Sequence, residues 1–173
     1  MAGRMEYRLI PKTGLSVSRL CLGTMTYGNE TDEADAHAQL DAFAAAGGTL
    51  IDTADLYSAG RSEEIVGTWL GSRSDLADRM VIATKGRFPT ADHPNGVGLS
   101  RRHLTQALDG SLKRLGVEAV DVYHVHAWDP LTPLEETIRF FDDAIAAGKI
   151  HYFGLSNFIG WQTAQAATWQ RAV

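Results

Sequence analysis

Four side chains that can move a proton or hold a developing charge stand at the ends of apolar runs in this sequence. Asp52 and Tyr57 follow Thr49-Leu50-Ile51, Lys85 ends Met80-Val-Ile-Ala-Thr-Lys85, and His126 ends Val120-Asp-Val-Tyr-His-Val-His126. A phenol, with an ordinary pKa near ~10, is a weak acid at neutral pH. A nearby ammonium favours the phenolate and makes the phenol a better proton donor. Asp52 can pair with Lys85 and keep it charged. His126 can donate a hydrogen bond to an oxygen that gains negative charge. Such a group suits delivery of a proton to a carbonyl oxygen while a hydride reaches the carbon. The pattern offers no obvious serine or cysteine nucleophile.

Each residue also has a plainer reading. An aspartate at a strand end is commonly a turn or capping residue, and Tyr57 can be half-buried packing with a wet hydroxyl. Lysine is rare in an apolar run without a partner, which makes Lys85 the more telling of the four. His124 and His126 share one strand face by alternation, so one of them can be a hydrogen-bonded histidine inside the sheet. The combination across four elements is far more specific than any member.

The elements that would position these groups alternate along the chain. Glu6–Ile10 and Leu15–Val17 flank Pro11-Lys-Thr-Gly14 and read as a hairpin. A first core strand at Arg19–Leu22 runs into the glycine-bounded loop Gly23–Gly28. Thr31 is the expected N-cap of a helix with apolar Ala36, Leu40, Phe43 and Ala44, stopped by Gly47-Gly48. The second strand is Thr49–Asp52. Ser62 is expected to cap a short helix through Leu70, ended by Gly71. The third strand is Met80–Lys85, followed by a long loop from Gly86 to Leu99. Ser100 caps a helix with Leu104, Leu108, Leu112 and Leu115 on one face, and Gly116 ends it. The fourth strand is Ala119–His126. Thr132-Pro133-Leu-Glu135 reads as a capping box with proline at the first helical position, on a helix that runs to Ala147. The fifth strand, Ile150–Leu155, ends in Ser156-Asn157, and an amphipathic segment follows from Ile159 to Arg171.

Strict β–α alternation predicts a parallel sheet with helices packed outside it. An open doubly wound sheet and part of a (β/α)8 barrel both fit, and both place chemistry at the carboxyl ends of strands. The absence of G-x-G-x-x-G after the first strand weakens the first of these for dinucleotide binding.

The 173 residues, 45% of them hydrophobic, suffice for one domain, residues 1–173. A net charge of -5 without a basic cluster argues against nucleic acid. Cys21 is the single cysteine, which rules out an intramolecular disulfide and suits a reducing compartment. No apolar run approaches the roughly 18 residues of a membrane span. A soluble cytoplasmic protein without a membrane partner is expected.

The residues resemble the aldo-keto reductase superfamily. The motifs that carry the resemblance are Gly14-Leu-Ser-Val-Ser-Arg-Leu-Cys-Leu-Gly-Thr-Met25, Ile51-Asp-Thr-Ala-Asp-Leu-Tyr57, Ser62-Glu-Glu64, Ala83-Thr-Lys85, Asp121-Val-Tyr-His-Val-His126 and Gly154-Leu-Ser-Asn157. The chain looks most like the bacterial, broad-specificity branch that includes relatives of potassium-channel β subunits. The resemblance implies an α/β fold of the (β/α)8 TIM-barrel type, closed at its bottom by the hairpin. It implies reduction of aldehydes or ketones by a nicotinamide cofactor, more often NADPH, with NADH as the alternative. Tyr57 is then the proton donor, Lys85 its activator, Asp52 the partner of Lys85, and His126 the residue that orients the carbonyl. His126 matches rather than His124 because it precedes Ala127-Trp128-Asp129. Ser156 and Asn157 match the pair that holds the nicotinamide carboxamide, and Gly23, Thr24 and Met25 the loop beside the ring. Tyr27, Phe88 and Trp128 fall where family members line the substrate pocket. No metal is implied.

The resemblance also implies more barrel than five β/α units, since a typical barrel needs about 250 residues. The expectation is an incomplete barrel, the N-terminal portion of a reductase, completed by a partner chain that supplies the remaining strands where one is present. Two other readings compete. One is a non-catalytic regulatory module that associates through open strand edges. The other is a metal-dependent hydrolase built on His124-Val-His126, which lacks further convincing ligands.

Overall fold

A computed structural model of the chain describes residues 5–172. The chain opens with a hairpin, β1 (Tyr7–Leu9) and β2 (Ser16–Ser18), paired antiparallel with Arg8 opposite Val17. Five further strands follow: β3 (Cys21–Gly23), β4 (Leu50–Asp52), β5 (Val81–Gly86), β6 (Val120–Val125) and β7 (Ile150–Leu155). Between them lie α1 (Glu33–Ala45), α2 (Arg61–Ser72), the short α3 (Ser74–Ala77), α4 (Arg101–Leu115) and α5 (Leu134–Ala146), and α6 (Gly160–Ala172) comes last. Among the described residues no helix is long and apolar enough to cross a membrane.

The sheet order is β3-β4-β5-β6-β7, and every neighbouring pair is parallel. This order separates the two architectures left open by the β–α alternation. A doubly wound sheet reverses its strand order at a switch point, whereas a barrel adds each strand beside the last. The observed order is of the barrel type, an incomplete one with five strands. The hairpin sits at the amino ends of the strands: Ser18 Oγ accepts from the Thr49 and Leu50 N–H groups, and Tyr7 donates to the Gly47 carbonyl at 2.8 Å.

Helices cover the outer face of the sheet. Leu104, Leu108 and Leu115 of α4 pack with Ile65, Trp69 and Phe141 into one continuous core, all fully buried. Gly86 has no freedom in this layer, because a Cβ there would stand 2.1 Å from the buried Tyr123 hydroxyl.

Several helix starts differ from the sequence expectation, each for a local reason. The N-cap of α1 is Asp32, whose carboxylate accepts from the Asp35 N–H at 2.9 Å; Thr31 instead bonds Thr26 within the preceding loop. Gly60, left-handed at φ 91°, precedes α2. Ser62 therefore falls inside the first turn, buried, where its hydroxyl meets Thr24 and Thr53. The helix passes through Gly71 to Ser72, and α3 is an addition. The capping box before α5 does not form. Pro133 is the N-cap without a side-chain bond, and the Thr132 hydroxyl donates to Asp129 Oδ2 at 2.7 Å. The cap of α4 by Ser100 and its left-handed stop at Gly116 are as expected.

A buried ion pair locks three of these elements together. Glu63 of α2 is fully buried, accepts from Arg114 Nε of α4 at 2.7 Å, and accepts from the Thr84 hydroxyl of β5. Removing one partner of a buried pair leaves an uncompensated charge, which costs more than deleting both. Arg114→Met is expected to destabilise the chain by about 2–4 kcal/mol. The double variant Glu63→Gln/Arg114→Met should lose clearly less. Urea unfolding monitored by circular dichroism measures both; equal losses would show that the pair is not the reason.

Candidate active site

The carboxyl ends of β4, β5 and β6 bring Asp52, Tyr57, Lys85 and His126 together. The Lys85 ammonium, 6% exposed, is the centre. It donates to Asp52 Oδ2 at 2.6 Å, to the Thr53 carbonyl at 2.8 Å and to the Tyr57 hydroxyl oxygen at 3.2 Å. An ammonium has three N–H donors and no acceptor, so these three partners satisfy it completely. A lysine on a buried strand stays tolerable for that reason.

The turn that carries Tyr57 extends the parallel ladder past β4. Thr53 N–H donates to the Ala83 carbonyl and Asp55 N–H to the Lys85 carbonyl. Tyr57 N–H then closes a tight turn onto Ala54 O at 3.1 Å. Ser58 and Ala59 follow in the left-handed region, at φ 49° and 54°. Non-glycine residues rarely adopt that conformation, and two in succession mark a turn imposed by its surroundings.

The Tyr57 and His126 rings meet edge-to-face with centroids 5.8 Å apart, and Phe88 closes on His126 at 4.9 Å. Burial, followed by the charge of Lys85, pushes the His126 pKa down to about 4. The imidazole is therefore neutral at pH 7. Its Nδ1 is buried without a hydrogen-bond partner among the described residues. His124 lies beside Lys85 in the register and packs against Gly154, away from these aromatic contacts. The structure thus assigns the two histidines of the H-x-H to different surroundings. Among the described residues no cluster suits a metal ion.

Other residues singled out in the sequence separate into those at the site and those behind it. Asn157, left-handed at φ 57°, donates from its amide nitrogen to the His126 carbonyl at 2.8 Å and to Ser156 Oγ at 3.1 Å. Among the described residues its amide oxygen accepts no hydrogen bond. Gly23 ends β3, where a Cβ would meet nothing within 4 Å, and Met25 is 66% exposed on the next loop. Thr24 is fully buried, with its hydroxyl engaged by Ser62 and the Asp52 carbonyl, so it braces the loop. The pocket expectation for Tyr27 is corrected: it is 1% exposed, packs in the main core, and donates its hydroxyl to Gln39. Trp128 joins an edge-to-face group with Phe158 and Trp161.

A cavity of about 650 Å³ lies elsewhere, lined by Val122, His124 and Gly154 and by the hairpin loop Ile10–Thr13. None of the four clustered residues lines it. It follows β7, whose outer edge is unpaired among the described residues.

The sequence reading missed Asp55, although the residue lies inside a quoted motif. Its carboxyl is buried and neither oxygen has a well-formed hydrogen bond. Burial first, and then the Glu63 carboxylate, push its pKa up to about 7. Arg87 and the Asp129 hub were also missed; Asp129 gathers the Leu131 N–H and the Thr132 hydroxyl from its own loop and the Leu99 N–H from thirty residues earlier.

A model of the Aldo/keto reductase family matches residues 19–173. The chain belongs to that family. Among its relatives is the uncharacterized oxidoreductase YrpG of Bacillus subtilis, 39% identical over 94% of this chain and 52% of the relative. A probable voltage-gated potassium channel subunit beta of Oryza sativa subsp. japonica is 39% identical over 94% and 49%. Versiconal hemiacetal acetate reductase of Aspergillus parasiticus is 37% identical over 91% and 52%. The chain spans about half the length of these curated relatives. As an aldo/keto reductase chain with oxidoreductase relatives, it carries its polar cluster where barrel enzymes place chemistry.

Asp55 gives a pH test of this geometry. Its folded-state pKa is raised above the carboxylate's ordinary value, so the folded chain binds a proton that the unfolded chain releases. Its contribution to stability therefore falls as pH rises from near the ordinary carboxylate value to about 7. Asp55→Asn should raise the melting temperature more at about pH 8 than at about pH 5. Thermal unfolding at both pH values checks this, and an equal effect would show that the carboxyl is solvated.

Proposed function

We propose that the protein is a cytoplasmic oxidoreductase that reduces aldehydes or ketones to alcohols with a nicotinamide cofactor, NADPH in preference to NADH. The observation that carries this reading is the fully satisfied Lys85 ammonium, with Tyr57 as one of its three acceptors and His126 against the same phenol. The reductase named among the relatives supports the direction of the reaction.

The residues present fit a nicotinamide. Asn157 has its amide nitrogen held by His126 and Ser156, so its oxygen faces outward as an acceptor for a carboxamide N–H. Gly23 and exposed Met25 leave backbone and side-chain surface on the loop beside β3. When bound, the nicotinamide supplies a hydride to the carbonyl carbon. Neutral His126 holds the carbonyl oxygen through Nε2. The Tyr57 hydroxyl gives its proton to that oxygen. The Lys85 charge then stabilises the tyrosine oxygen left behind, and Asp52 keeps the ammonium charged and aimed. Tyr57 is half-buried and recovers its proton from solvent. Hydride and proton together convert the carbonyl to an alcohol, with Tyr57 unchanged after reprotonation.

A second reading rests on the unpaired β7 edge and the adjoining cavity. Further parallel strands would pair there, from a continuation of the polypeptide or from a second chain. An associating role without turnover then becomes the alternative, and it agrees with the channel-subunit relative.

Tyr57→Phe decides between them. The variant should lose about 10²–10⁴ of the turnover of a reactive aromatic aldehyde, followed by loss of NADPH absorbance, while NADPH binding is retained. Unchanged turnover would remove Tyr57 as the proton donor. A folded parent without turnover that associates with increasing concentration would favour the second reading.

A further inference from the structure

The cations around the site are almost all paired. Lys85 holds Asp52, Arg61 holds Glu33 and Glu64, Arg101 holds Asp143, and Arg114 holds Glu63. Arg87 differs. Among the described residues it joins no ion pair, and its Nε is buried without a hydrogen-bond partner. A buried N–H without an acceptor is unfavourable until an acceptor arrives.

Arg87 stands two residues beyond Lys85, where the chain leaves β5. Its guanidinium carbon is 5.0 Å from the centre of the Phe88 ring, and the same ring meets His126 at 4.9 Å. One aromatic ring is therefore the wall shared by an unpaired cation and the histidine proposed to hold the carbonyl. The backbone fixes the position, since Gly98 N–H donates to the Arg87 carbonyl at 2.8 Å. The electrostatic influence of Arg87 reaches both His126 and Asp129. Asp129 does not neutralise it by contact. The Asp129 oxygens already accept from the Leu99 and Leu131 N–H groups and from the Thr132 hydroxyl. Among the described residues it forms no ion pair with Arg87, although the Arg87 charge is one cause that lowers its pKa.

We propose that Arg87 anchors a carboxylate on the substrate, so that the preferred substrates are aldehydes or ketones bearing a carboxylate across a compact spacer. A planar guanidinium fork matches a carboxylate with two parallel hydrogen bonds. The compact spacer follows from the two contacts with the Phe88 ring, which put the guanidinium carbon no more than about 10 Å from the centre of the imidazole. This proposal rests on the carbonyl-reductase reading and narrows it to a substrate class.

The test compares 4-carboxybenzaldehyde with its neutral methyl ester, in the parent, Arg87→Met and Arg87→Lys. Intrinsic reactivities cancel when the ratio of kcat/KM for the two aldehydes is compared between proteins. The ratio should fall about 10- to 100-fold in Arg87→Met, through KM rather than kcat. Arg87→Lys should recover part of it, as a point charge without the fork. Equal loss for both aldehydes would overturn the proposal, because Arg87 would then only hold its loop. An unchanged ratio would overturn it as well. The reductase reading is judged separately by Tyr57→Phe, which should abolish turnover of both aldehydes. If neither aldehyde turns over, calorimetry of 4-carboxybenzaldehyde binding decides for Arg87. About tenfold weaker binding to Arg87→Met supports the anchor, and equal affinity removes it.

Discussion

The ammonium of Lys85 is the constraint on which the site depends. A lysine on a strand buried on both faces is admissible only when its charge and all three donors are met. Asp52, the Thr53 carbonyl and Tyr57 meet them, and they come from one short stretch following β4. The turn after β4 is therefore shaped by the lysine of β5. Ser58 and Ala59 accept left-handed backbone where the chain bends back into α2. The strain and the satisfaction of the charge are two sides of one arrangement.

Behind this layer lies a second set of charged and polar groups, centred on the fully buried Glu63. Glu63, Arg114 and Thr84 tie α2, α4 and β5, and Thr84 is the residue directly before Lys85. The Thr24, Thr53 and Ser62 hydroxyls link the ends of β3 and β4 to the first turn of α2. The geometry at the strand tips is thus held from outside the sheet by polar contacts, in addition to the apolar packing of α4 and α5.

Much of this was legible in the sequence, and the reasons are physical. The β–α alternation follows from apolar runs bounded by glycines, and the left-handed stop of α4 at Gly116 follows from glycine's freedom at positive φ. The meeting of Asp52, Tyr57, Lys85 and His126 was legible because the four follow successive apolar runs in combination, and because a lysine is rare in such a run without a partner. The fate of small hydroxyls was not. Ser62 and Thr132 have the look of caps, yet Ser62 spends its hydroxyl on the distant Thr24 and Thr132 on Asp129 of its own loop. Tyr27 reads as a rim residue but is drawn into the core, where Gln39 receives its hydroxyl. Asp55 depends on Glu63 and on burial supplied by the fold, and Asp129 joins its near neighbours Leu131 and Thr132 to the distant Leu99 N–H.

The sheet order has a consequence for how such a chain reaches its structure. Strands adjacent in space are consecutive in sequence throughout β3 to β7, so no pairing must wait for the closure of a loop longer than one β–α unit. Contact order stays low for a parallel sheet, because each β–α unit pairs with the one before it. The longest pairings, β5 with β6 and β6 with β7, lie in the interior and at the far edge, while β3 and β4 contribute three residues each. The lysine stands on the central strand β5 and its partners on the shorter β4 side. The polar centre of the site consequently spans the join between the thinner half of the sheet and the thicker one.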